Sequence, residues 1–165
     1  MRLVVLLVTP FLINHINMNN DEYFMSLAYA EAEKAKSEDE VPIGAVVVIN
    51  GEVVGRGHNM RIKTNEVTSH AEINAIIEAE KRTGSLILDG ATIYTTIEPC
   101  PMCSYAIMES HIKRLVYGSK DLKRGAISTL DIFNKKLGLK VEVCGNILEE
   151  RCSLILKEFF KNKRD

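Results

Sequence analysis

Polar and apolar positions along the chain fall into short blocks whose period changes from one block to the next. Asn19, Asn20 and Asp21 offer helix caps, and Phe24, Leu27, Ala28 and Ala35 then recur at near-helical spacing up to the acidic SEDE break, which predicts a first helix opening near Met18. The runs IGAVVVI and EVVGRGH flank Asn50-Gly51. Both residues of that pair tolerate positive φ, so a type I′ turn and an antiparallel hairpin are expected. MRIKTNEVT reads as a polar loop leading to a helix that starts near Ser69 and ends around Thr83-Gly84. Further on, ATIYTTI, RLVYG and KVEVCG read as strands and CPMCSYAIMES as a helix. A closing helix from about Ile147 to Phe160 carries Leu148, Cys152, Ile155, Leu156 and Phe159 on one stripe.

Strands that alternate with helices in this order predict an α/β fold, a three-layer α/β/α sandwich around a central mixed sheet of five strands. A chain of 165 residues with 46% apolar content suits one domain with one core. No internal repeat, low-complexity tract or linker divides it. Residues 18–165 are therefore read as a single domain, with 1–17 as an N-terminal extension. MRLVVLLVTPFLINHIN is apolar, but Pro10 interrupts it, no small-x-small cleavage site follows, and the run is too short to span a bilayer. No targeting role and no membrane are expected.

Charge adds one feature. The net charge of −1 conceals an excess of acids before residue 110 and a basic C-terminal third. Such a region can attract a polyanion locally, or be an ordinary solvated lysine surface.

The candidate chemistry lies in two short stretches, SHAEINAI and EPCPMC. Cys100 and Cys103 open a helix directly after a strand, and Pro101 suits the first turn, where its missing N–H has no partner to lose. Helix N-termini favour thiolate over thiol, as metal ligation requires. His70 supplies a plausible third ligand at the mouth of another helix. If the two helix mouths face each other, His70, Cys100 and Cys103 form a three-ligand zinc site with a fourth position open to water, the pattern of a catalytic centre. Glu72 then moves protons rather than binding metal. Two blander readings stand beside this one. The Cys-x-x-Cys pair could be a redox couple, although it lacks thioredoxin-type flanks, or zinc could be sealed by a fourth ligand from His58, His111, Cys144 or Cys152. Cys144 and Cys152 read more simply as buried core thiols.

HAE followed by PCPMC resembles the zinc-dependent cytidine deaminase-like superfamily, whose members act on several bases and nucleotides. Within it, VPIGAVVV, GRGHN, SHAEINAI, TIEPCPMCSYAI, LVYGSKDLKRGAIST and ILEERCSLILKEFFKNKR together resemble the bacterial tRNA-specific adenosine deaminases, which convert the wobble adenosine of a tRNA anticodon to inosine. The resemblance spans nearly everything after residue 17. It implies a cytidine deaminase-like fold, one Zn2+ per subunit on His70, Cys100 and Cys103, and Glu72 as catalytic proton shuttle. It also implies that Asn59 binds the target nucleoside and that Asp121 lies close to the substrate nucleotide. Read without the resemblance, Asn59 is equally a turn residue bonded to its own backbone, and Asp121 an ordinary loop aspartate. Lys120, Lys123 and Arg124 would approach phosphates of the anticodon stem-loop. Phe160 is open between stacking on an unpaired base and packing, Phe159 is assigned to the core, and Lys161, Lys163 and Arg164 form a basic tail. A cytoplasmic homodimer completes the picture. His58 departs from the tryptophan expected in that family, which bears on the pocket rim. The alternatives are a guanine deaminase or another free-base or nucleotide deaminase of the same fold, and a catalytically idle zinc module that captures RNA.

Overall fold

A computed structural model describes residues 10–128 and 140–163, with side chains from Asn20 onward. Residues 1–9 of the expected extension, and Arg164 of the basic tail, lie outside the described residues.

The first helix, α1 (Pro10–Ser37), begins upstream of the expected start near Met18 and runs through the three proposed cap residues. Proline at a first helical position costs no hydrogen bond, and polar residues inside a helix are tolerated where their side chains bond elsewhere. Asp21 does so. It is buried, and it accepts hydrogen bonds from the Tyr94 hydroxyl at 2.8 Å and from both terminal nitrogens of Arg114 at 2.7 and 2.8 Å.

The hairpin of β1 (Gly44–Ile49) and β2 (Glu52–His58) turns as expected, with φ of 51° at Asn50 and 79° at Gly51. The following polar stretch holds one short helix, α2 (Arg61–Thr64), where a plain loop was expected. It ends at Asn65 in the left-handed conformation that asparagine tolerates. Next come α3 (Ala71–Thr83), β3 (Thr92–Ile97), α4 (Pro101–Glu109), β4 (Arg114–Ser119), β5 (Glu142–Cys144) and α5 (Glu149–Asn162).

The five strands form one mixed sheet in the order β2-β1-β3-β4-β5. β1 is antiparallel to both β2 and β3, whereas β3, β4 and β5 run parallel. Each face is covered by helices, which produces two cores. On one, Ala71, Ala75, Ile76 and Ala79 of α3 and Ile107 of α4 pack with Ala45, Val47, Ile93 and Leu115. On the other, Phe24, Met25 and Ala28 of α1 and Cys152 of α5 pack with Val46, Val48, Tyr94 and Val116. The three-layer sandwich read from the sequence is the fold observed.

Two glycines govern how close α3 comes to the sheet. A Cβ on Gly57 would overlap the Ala71 carbonyl oxygen, and one on Gly55 would overlap that of Ala75. With hydrogens there and alanines opposite, the helix lies directly on β2, and its first turn is held at the end of the hairpin.

Candidate metal centre

His70 and Cys100 occupy equivalent places. Each is the N-cap residue of its helix, with extended backbone (φ −80° and −72°), and neither side chain makes a capping hydrogen bond. Both are thus released from the usual task of a cap side chain and point to a shared space beyond the helix mouths. Local bonds fix the histidine segment. Met60 N donates to Ser69 O at 3.0 Å, and the Asn74 amide donates to His58 O at 2.9 Å and to Ser69 Oγ at 3.2 Å. Cys100 and Cys103 follow β3 through Glu98 and Pro99, with Pro101 at the start of α4 as expected.

The donor atoms of His70, Cys100 and Cys103 all lie within 4.8 Å of one another. His70 Nδ1 is 3.8 Å from Cys100 Sγ and 3.5 Å from Cys103 Sγ. With bonds of ~2.3 Å to sulfur and ~2.0 Å to nitrogen, tetrahedral zinc requires roughly 3.6 Å between such atoms. The residues fit zinc in identity and in spacing. No fourth residue joins them among the described residues. Each of the four candidates considered from sequence is placed elsewhere: His58 between Glu31 and Glu38, at 3.5 and 3.4 Å, His111 beyond the end of α4, and Cys144 and Cys152 in the α1/α5 core.

Electrostatics sharpen this arrangement. The neighbouring Cys103 side chain, against the opposing effect of burial, draws the Cys100 thiol down to about 4. Cys103 is pushed far upward by its bond to Cys100 and by burial. In the protein alone one thiol holds the proton that the other sheds, so the pair behaves as one cluster with a single stabilised negative charge. A divalent cation removes that competition, because both sulfurs can then ionise. Glu72, in the first turn of α3, is buried at 3% exposure, and burial raises its carboxyl above the ordinary range. A carboxyl that holds its proton more tightly than usual beside a metal-type cluster is suited to proton transfer.

The remaining residues singled out from sequence separate into two groups. Asn59 is buried, with its amide donating to Glu40 at 3.1 Å. Asp121 Oδ1 accepts hydrogen bonds from the backbone N–H groups of Lys123 and Arg124, so its carboxylate shapes the loop. Lys120, Lys123 and Arg124 are exposed and have no carboxylate partner among the described residues. Lys120 and Phe160 meet in an open cavity of about 420 Å³ that Lys157 and Lys161 also line. Phe160 is 44% exposed while Phe159 is buried, so the assignment of Phe159 to the core holds.

Sequence reading missed the buried carboxylates of Glu40 and Glu98, as well as that of Glu31 on α1. Glu40 receives the Asn59 amide and the backbone N–H of Lys63 at 2.8 Å. Glu98, 1% exposed, receives four hydrogen bonds from the loop after β4. The available signal was an acid directly against an apolar run, Glu40 at the end of the acidic SEDE stretch before VPIG and Glu98 after TTI, since a charge next to a buried strand needs partners.

Comparisons with known proteins agree with this geometry. A family described as "Cytidine and deoxycytidylate deaminase zinc-binding region" matches residues 18–119. A tRNA-specific adenosine deaminase of Bacillus subtilis is 43% identical over 89% of this chain and 92% of its own. One of Agrobacterium fabrum is 42% identical over 86% and 95%. A solved structure from studies of A-to-I editing by tRNA:A34 deaminases superposes with a TM-score of 0.77 at 41% identity, over 81% of this chain and 99% of the other. A guanine deaminase from Bacillus subtilis superposes less fully, with a TM-score of 0.58 at 36% identity over 60% and 64%.

Proposed function

Since this chain belongs to the zinc-binding cytidine and deoxycytidylate deaminase family, among relatives that are tRNA-specific adenosine deaminases, we propose that it hydrolyses the wobble adenosine of a tRNA anticodon to inosine. The observation that carries the reading is the group of His70, Cys100 and Cys103 at two facing helix mouths, with Glu72 buried beside it. Zinc, when bound by those three residues, supplies the Lewis acidity that makes water nucleophilic near neutral pH.

The protein's own part is to hold the base and move protons. An unpaired loop nucleotide leaves its stack at lower cost than a paired one, which favours an anticodon loop as substrate. Asn59, its amide nitrogen engaged by Glu40, turns its carbonyl to the nucleoside as an acceptor. Glu72 accepts the proton of the attacking water and delivers one to N1 of the purine as oxygen bonds to C6. It then takes the second proton from that oxygen and delivers it to the amino group on C6. The C–N bond breaks, ammonia leaves, and C6 keeps the oxygen as the carbonyl of inosine. Lys120, Lys123 and Arg124 meet the flanking phosphates, and Phe160 offers a face on which an unpaired base can stack.

The reading includes a homodimer in the cytoplasm. Exposed Ile62, Val67 and Leu122 are apolar surface that a second copy would cover. Among the described residues, no helix is long and apolar enough to cross a membrane.

The test is turnover by the purified zinc-loaded protein on an anticodon stem-loop with adenosine at the wobble position, beside guanine and cytidine. Inosine from the RNA alone is the expected product. Ammonia released from guanine but not from RNA would transfer the chain to free-base deamination, and RNA binding without ammonia would make it a binding module.

A further inference from the structure

Glu98 is a buried carboxylate adjacent to the ligand segment, and among the described residues its four side-chain bonds all come from one loop. Its Oε1 accepts from the backbone N–H of Ile127 at 2.9 Å and of Ser128 at 2.6 Å. Its Oε2 accepts from the backbone N–H of Asp121 at 3.1 Å and from the Ser128 hydroxyl at 2.8 Å. Backbone bonds continue the seam, Glu98 N to Ser119 O at 2.8 Å and Ala126 N to Pro99 O at 3.0 Å. The loop wraps so closely that a Cβ on Gly125 would overlap the Glu98 carboxylate. Two residues further along the chain from Glu98 stands Cys100.

We propose that Glu98 is a positioning residue that fixes the 119–128 loop, and with it the cations at 120, 123 and 124, against the segment that carries Cys100 and Cys103. A buried carboxylate stays only where it is well satisfied, and here four donors converge on its two oxygens. The loop carries three exposed cations that would otherwise repel one another and spread. Tying its backbone at three separate amides sets their spacing in advance, which lowers the ordering cost of engaging a polyanion. Glutamine is a poor substitute: three of the four donors are backbone N–H groups, which cannot accept a hydrogen bond, so the NH2 of Glu98→Gln would be left facing at least one of them, and only the Ser128 hydroxyl can turn to accept from it.

The RNA half of the proposal rests on the function given above, whereas the loop anchor can be measured without RNA. In Glu98→Gln, hydrogen exchange at the amides of Asp121, Ile127 and Ser128 should quicken by about tenfold or more, the effect of losing roughly one hydrogen bond's stabilisation. Zinc should stay at one per chain by elemental analysis, and exchange in α5 should not change. With an anticodon stem-loop, KM should rise by about tenfold while kcat falls much less, as for a lost preorganised binding contact. Gly125→Ala leaves Glu98 intact but forces the loop off it, and should move both readouts the same way. Ser128→Ala removes only the hydroxyl bond and should move them less. If Glu98→Gln does not fold, these two decide. Unaltered exchange at the three amides would overturn the anchor. Zinc loss with an undisturbed loop would make Glu98 a prop for the ligands instead. Faster exchange with unchanged KM would overturn the link to RNA, and a wild-type protein inactive on RNA would defeat the functional reading while the exchange data still judged the anchor.

Discussion

The parallel strands of this fold carry a polar cluster at each end, each built around a buried carboxyl group (Asp21 and Glu72), and the two are opposites. At the N-terminal ends of β3 and β4, Asp21, Tyr94, Arg114 and Glu142 satisfy each other. The guanidinium grips both oxygens of Asp21 and reaches Glu142 at 3.2 Å, while Tyr94 donates its hydroxyl to Asp21. Opposite charges are matched: the Asp21 carboxylate reinforces the charged form of Arg114 and the neutral, donating form of Tyr94. Burial and the Asp21 carboxylate accordingly push the Tyr94 hydroxyl up, and the same carboxylate pushes Arg114 up. At the C-terminal ends, by contrast, Cys100, Cys103 and Glu72 are three acids gathered in one buried place with only a histidine between them. Each centres on a buried acid, but one cluster is complete and the other lacks positive charge. A cluster that satisfies itself holds the fold together. One short of a cation is where a metal and chemistry belong.

The comparison is broken most severely at Glu72. Glu72→Gln should keep the zinc and the fold and lose about 10³-fold in turnover, within the range of a lost general acid–base group. Single-turnover kinetics on zinc-quantified protein checks it, and a variant within tenfold of wild type would remove Glu72 from proton transfer. The opposite cluster should respond in the opposite way. Asp21→Ala strands a partly buried guanidinium and a tyrosine hydroxyl, which costs about 3 kcal/mol, or roughly 9 °C in Tm for a chain of this size. Turnover per folded molecule should hardly move. If Asp21→Ala lost activity at full stability, the two ends of the sheet would not be separate in role.

A milder perturbation reaches the rim of the metal end. Replacing Lys120, Lys123 and Arg124 together with alanine should leave kcat almost unchanged and flatten the salt dependence of RNA binding by about 2 in log–log slope, at roughly 0.7 per single-strand phosphate contact. Titrations between low and moderate salt would read it, and parallel lines would reduce the loop to plain surface.

How much of this was legible depends on sequence distance. The metal ligands were readable because HAE and CPMC compress their geometry into a helix mouth each, where a cap position fixes the direction of a side chain. The strands and the Asn50-Gly51 turn were readable for the same local reason. Glu98 was not, since its donors belong to Asp121, Ile127 and Ser128 and only the folded loop brings them to one carboxylate. Asp21 shows the same limit from the other side. Locally it has the chemistry of a helix cap, but Tyr94 and Arg114 offered a better bond, and α1 continued past it. The strand order β2-β1-β3-β4-β5 likewise has no local signature. It follows from which faces the helices need to cover.

The smallest effect expected concerns a cysteine that belongs to neither cluster. Cys152 lies in the α1/α5 core against Val116 and Tyr94, and burial pushes its thiol up to about 12. In the unfolded chain an ordinary thiol ionises near 8.5. Below that value both states hold the proton, and Cys152 makes stability no more pH-dependent. Above it the unfolded chain releases a proton that the folded chain retains, so the unfolded state binds fewer protons and stability falls as pH rises toward about 12. The slope from one such group is at most ~1.4 kcal/mol per pH unit. Cys152→Ala should therefore be less stable than wild type at pH 7, through the lost packing, and should lose stability more slowly between pH 9 and 10. Denaturant midpoints at those two pH values measure the difference in slope. Cys144 and Tyr94, also raised by burial, titrate in both proteins and largely cancel. Parallel curves would mean that Cys152 ionises as readily in the folded protein as outside it, and that this core admits water where the opposite face of the sheet does its chemistry.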